Sequence, residues 1–127
     1  MATDRKPPGT DDELIECMTT PSAAVCEAVA QYEGDVIILG VGGKMGPTLA
    51  ELLLRAGGGD GGRRVIGVAR FSDPRGRDHL EEIGVTTIQA DLLEDQALRD
   101  LPDAPHVFLL AGFKFGATGN PSMTWAM

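Results

Sequence analysis

Residues 35–46 read Asp-Val-Ile-Ile-Leu-Gly-Val-Gly-Gly-Lys-Met-Gly. The apolar run Val36–Leu39 fits a strand buried on both faces, and it opens directly into glycines at 40, 42, 43 and 46. Glycine suits such a junction because the chain must turn sharply from strand to helix. It also lets the backbone approach a ligand with no Cβ in the way. Beyond Gly46, Leu49, Leu52, Leu53 and Ala56 follow Met45 at helical spacing, so one face can lie on a sheet. Pro47 is tolerated in a first turn, where its missing N–H has no helical acceptor. A helix starting here aims its free amides and positive dipole end at the glycines, which suits a pyrophosphate. The string reads as Gly40-x-Gly42, with Met45 in place of a third glycine, or as Gly40-x-x-Gly43-x-x-Gly46 with all three positions filled.

Outward from this turn, strands and helices alternate. Ser22 caps a short helix in which Val25, Val29 and Tyr32 share a face, and Gly34 ends it. The glycine-rich stretch 57–62 reads as a flexible connection, at the helix end where the dipole disfavours anions. Val65–Ala69 form the second strand. Asp73-Pro74 starts a helix running to about Ile83, Val85–Gln89 form the third strand, and a short helix spans about Glu94–Arg99. His106–Ala111 form the fourth strand. This rhythm predicts a parallel sheet with right-handed crossovers.

Composition sets further bounds. A chain of 127 residues, 43% of them apolar, suffices for one domain with a single core. A net charge of −8 argues against nucleic acid or an acidic membrane as partner. No apolar run reaches the roughly 20 residues of a membrane span. The polar N-terminus has no apolar core of a signal peptide, so residues 1–20 are expected to be a disordered lead-in. Cys17 and Cys26 have no second pair, which excludes a zinc framework and suggests reduced thiols in a cytoplasmic protein. Five of the eleven basic residues, Arg63, Arg64, Arg70, Arg75 and Arg77, fall within fifteen positions and invite a local anion. Asn120-Pro121-Ser122 resembles a helix start a few residues before Met127, so the sequence reads as the first part of a longer protein.

Across residues 35–127 the chain resembles the cofactor-binding half of extended short-chain dehydrogenase/reductases. Within these it is similar to the NAD-dependent epimerase/dehydratase family that acts on nucleotide sugars. Three motifs carry the resemblance: Gly40-x-x-Gly43-x-x-Gly46, Asp91-Leu92 after the third strand, and Ala111-Gly112-Phe113-Lys114 after the fourth. The resemblance implies a Rossmann-like doubly wound parallel sheet of about four strands with helices on both faces, over residues 21–127 and incomplete at its C-terminal side. It implies that Asp91 accepts from an adenine amino group and that Lys114 reaches the phosphate–ribose region. Independently of the name, both lie past strand ends that line the ligand crevice of such sheets, although Asp91 also suits the cap of the next helix.

One motif departs from the NAD pattern. The second strand ends Val68-Ala69-Arg70-Phe71-Ser72, without the acid that reads a ribose 2′-hydroxyl. Arg70 and Ser72 suit a 2′-phosphate instead, which favours NADP over NAD. The candidate cofactor-binding set is therefore Gly40, Gly43, Lys44, Met45, Gly46, Arg70, Ser72, Asp91, Leu92, Ala111, Gly112 and Lys114. No catalytic residue is assigned. The family's Tyr-x-x-x-Lys pair is missing, since the one tyrosine is Tyr32 and Val36 stands four residues later. The resemblance also allows a homodimer. The alternative reading is a non-catalytic NAD(P)-sensing regulatory module, such as those gating potassium transport.

Overall fold

The computed structural model describes residues 6–58 and 63–112. In chain order these form α1 (Asp11–Thr19), α2 (Ala23–Ala30), β1 (Val36–Leu39), α3 (Gly46–Leu53), β2 (Val65–Ala69), α4 (Pro74–Ile83), β3 (Thr86–Gln89), α5 (Asp95–Arg99) and β4 (His106–Leu109). The strands make one parallel sheet in the order β3-β2-β1-β4. Val36 stands opposite both Val65 and His106, and Ile66 stands opposite Thr86. The chain winds outward from β1 to β3, then returns across the sheet to lay β4 on the other side of β1. That reversal sets the topological switch point between β1 and β4, where ligands of such sheets bind outside the carboxyl edge. The topology is a Rossmann-like doubly wound α/β domain.

The unbroken apolar runs of β1 and β2 are explained by burial on both faces. On one face Val36, Ile38 and Val65 pack with Ala50 and Leu53 of α3 and Leu80 of α4. On the other, Ile37, Ile66 and Val68 meet Leu92, Leu101 and Ala104 from the segments flanking α5. Ile38 and Ile66 are fully buried, each contributing about 1.5–3 kcal/mol by removal from water. The outer strands are less covered, and Val107 and Leu109 of β4 are largely exposed.

Several boundaries differ from the sequence reading. Residues 11–19 are helical although they fall within the expected lead-in. The Thr10 hydroxyl accepts from the Glu13 amide, the Glu13 carboxylate accepts from the Gly9 amide, and three acids occupy the first turn. These features stabilise a helix N-terminus in a stretch whose polarity suggested disorder. Arg55 then ties α1 to the end of α3 through Glu16 and the buried Thr19 hydroxyl. After Leu53 the helical turns continue over Leu54–Gly58 but break at Gly57, whose φ of +143° is not helical. Strand β3 starts at Thr86 because the Val85 amide is still bonded to the Leu80 carbonyl. Strand β4 ends at Leu109, where the chain turns past Gly40 after one more bond from the Leu110 amide to the Leu39 carbonyl. Met45 precedes the helix and is exposed rather than facing the sheet.

Other elements follow the expectation closely. The Ser22 hydroxyl accepts from the Val25 amide, and Asp73 accepts from the Arg75 amide ahead of Pro74. Gly84 closes α4 in the left-handed conformation at φ +106°. The helix start expected at Asn120–Ser122 lies outside the described residues. Among the described residues no helix is long and apolar enough to cross a membrane.

Candidate functional site

A cleft of about 510 Å³ sits at the carboxyl edge of the sheet, lined by the segments that leave all four strands. Its floor is the glycine turn, and each glycine there has a different physical reason. Gly40 takes φ +91°, and a Cβ on it would stand 2.6 Å from the Ala111 amide nitrogen. Gly46 is buried against the preceding turn, where a Cβ would fall 2.0 Å from the Val41 carbonyl oxygen. These two glycines are required by the fold. Gly43 is not. Its φ is not positive, and an added Cβ would meet only the Gly40 carbonyl oxygen at 3.6 Å, an ordinary contact. Gly43 nevertheless lines the cleft and is exposed. Helix α3 begins just behind it with Pro47 in the first turn and no side-chain cap. Among the described residues, no acceptor pairs with the amides of Gly42, Lys44 or Met45. Such a helix start is an anion-binding geometry.

The second wall is the β2–α4 turn, Ala69 to Asp73. The arginine cluster resolves here into two classes. Arg64 pairs with Asp35 at 2.7 Å, Arg75 with Asp73 at 2.9 Å, and Arg77 with Glu81 at 3.1 Å. Arg63 donates to the carbonyls of Val29 and Gly34. Arg70 is the exception. Among the described residues its guanidinium has no hydrogen-bond partner, and it lines the cleft beside Ser72. Its carbonyl accepts from the Gln89 side chain at 2.9 Å, which fixes the backbone that bears it. The Arg75 guanidinium donates to Asp73 and holds that carboxyl below the usual carboxylate range, so Asp73 offers the cleft a neutralised pair.

The third wall comes from the ends of β3 and β4, with Ala90, Asp91 and Leu92 from one and Leu110, Ala111 and Gly112 from the other. One Asp91 carboxylate oxygen accepts from the Leu93 amide at 3.0 Å. The residue at the N-cap position of α5 is Glu94, which makes no side-chain cap bond, so Asp91 shapes the turn before the helix without capping it. Its second oxygen has no partner among the described residues.

The structure thus brings Gly40, Gly43, Arg70, Ser72, Asp91, Leu92, Ala111 and Gly112 around one cleft. Lys44 and Met45 do not line it, and Gly46 packs beneath the turn. Lys114 lies outside the described residues. Tyr32 packs edge-on against His106, ring centroids 5.3 Å apart, at the amino edge of the sheet opposite the cleft. Phe71 and Gly76 also line the cleft and had not been singled out. Gly76 was legible in principle, because a glycine inside a helix costs about 1 kcal/mol and asks for a reason. Nothing stands within 4 Å of a Cβ added there. No protein-family model and no curated protein matches this chain.

Proposed function

We propose that the cleft binds a nicotinamide dinucleotide, NADP in preference to NAD. In this reading the chain is the coenzyme-binding part of an oxidoreductase of the epimerase/dehydratase kind, with a nucleotide sugar as substrate. The observation that carries the reading is Gly43: neither its backbone conformation nor its packing asks for glycine, yet it lines the cleft at the start of α3. A ligand that approaches the main chain closely is the remaining physical reason for a missing Cβ.

The rest of the cleft suits the same group. The free amides before α3 suit a diphosphate. Arg70 and Ser72 suit a 2′-phosphate, since a guanidinium forks onto phosphate oxygens and the neighbouring Asp73 carboxylate is already paired with Arg75. The outer oxygen of Asp91 suits a base amino group. When bound, the nicotinamide supplies hydride chemistry. The residues named here bind and orient it.

Calorimetric titration of the folded chain with NADP and with NAD tests the proposal. Binding of NADP that is lost in Gly43→Ala, with the variant still folded, supports it. Binding of neither coenzyme overturns it. One observation favours a sensing module without catalysis as the second reading: Tyr32 stands a full strand away from the cleft. Coenzyme binding without turnover of any nucleotide sugar would select that reading.

A further inference from the structure

We propose that Phe71, braced from behind by Arg77, is a positioning residue that sets the coenzyme preference of this cleft; the inference rests on the dinucleotide reading above. Ala69 to Asp73 are consecutive, and all line the cleft. An extended chain sends successive side chains to opposite sides, so such a run needs a reversal. The reversal is at Phe71, which takes φ +51°. Among the described residues it is the one non-glycine with positive φ. A bulky aromatic rarely adopts this region and stays there only where its surroundings over-determine it.

Those surroundings are specific. The Phe71 ring packs against the buried cluster that includes Leu80. The Arg77 guanidinium lies 5.5 Å from the ring centroid, within cation–π range. Arg77 Nε in turn donates to the Thr87 hydroxyl at 2.9 Å and to Glu81 at 3.1 Å. From the other side, Gln89 holds the Arg70 carbonyl. Thr87 and Gln89 both belong to β3, the strand that leads into Asp91. The kink is therefore locked to the sheet, and it carries Arg70 and Ser72 on either side of it.

The test is titration of NADP and NAD into the wild type, Phe71→Val, Phe71→Asn and Arg77→Met, with circular dichroism to check folding. Valine resists the left-handed region, whereas asparagine accepts it. Phe71→Val is expected to reduce the NADP-over-NAD affinity ratio about tenfold, and Phe71→Asn to hold it within about threefold. Arg77→Met removes the guanidinium–ring contact while leaving Phe71 in place, and is expected to reduce the ratio about twofold to threefold. If Phe71→Val does not fold, the Arg77→Met result decides. A ratio unchanged in Phe71→Val or Arg77→Met overturns the proposal, as does an equal fall in the Val and Asn variants. Wild-type protein that binds both coenzymes equally overturns it while leaving the dinucleotide site standing. Wild-type protein that binds neither overturns both.

Discussion

A Cβ on Gly40 would stand 2.6 Å from the amide nitrogen of Ala111, so the exits of β1 and β4 meet across a single glycine. Gly40 also holds φ +91°. Gly40→Ala therefore faces a strained backbone and an overpacked contact together, at a cost of about 2–4 kcal/mol. Urea denaturation measures this. A loss below about 1 kcal/mol would mean that the β4 exit moves aside freely.

Gly43→Ala should behave in the opposite way. Its new methyl group meets only the Gly40 carbonyl oxygen at 3.6 Å, and its φ is one that alanine accepts. Stability should hold or rise by up to about 1 kcal/mol, because alanine restricts the unfolded chain. Coenzyme affinity should fall by about tenfold or more as the methyl group blocks close approach. A variant that is both stable and fully competent for binding would remove the reason given for this glycine.

Arg70→Asp replaces the unpaired guanidinium of the cleft with a carboxylate. NADP should lose about tenfold or more in affinity relative to NAD, since a charge-assisted phosphate contact becomes a repulsion. Equal losses for the two coenzymes would assign Arg70 to something other than the 2′ position. Arg75→Ala gives the matched comparison. Its charge is already taken by Asp73, and freeing that acid should also weaken NADP in preference to NAD.

Acid should unfold the chain partly through its paired carboxylates. Asp35 is held below the usual range by hydrogen bonds from the Arg64 backbone and side chain, and Glu16 by its bond from Arg55. The Thr87 hydroxyl does the same for Glu81, with Arg77 adding to it. A group whose folded-state pKa is lowered lends stability that is complete above its unfolded value and is lost as pH falls through the folded one. The melting temperature should therefore drop as pH falls below about 4, the ordinary carboxylate range. Glu16 and Glu81 are solvent-exposed and Asp35 is half-buried, so the effect is modest and salt should blunt it. Asp35→Asn should flatten the slope between pH 7 and the acid limb. An unchanged profile would show that the Asp35–Arg64 pair does not differ in charge state between folded and unfolded chains.

The sequence was most readable where local physics decides. Strands β1 and β2 match their apolar runs residue for residue, because burial on both faces leaves no room for polar residues. Helix α4 announces itself through Asp73-Pro74 and Gly84. Helix α1 carried a readable signal, Thr10 with Glu13 three residues on, set within a strongly polar stretch. The arginine cluster was legible as a group but not residue by residue. Asp35, which takes Arg64, lies 29 positions upstream, and no local pattern links the two. Phe71 was the least legible of the cleft residues. Nothing in its sequence neighbourhood marks a left-handed aromatic, since the contacts that hold it come from α4 and β3.

The glycine turn leaves β1, a strand hydrogen-bonded on both sides and shielded from solvent above and below. Amides in such a place exchange with deuterium only when the whole domain opens. The grip of the glycine turn is thus anchored in the slowest-breathing part of the molecule, while α1 can fray without loosening it.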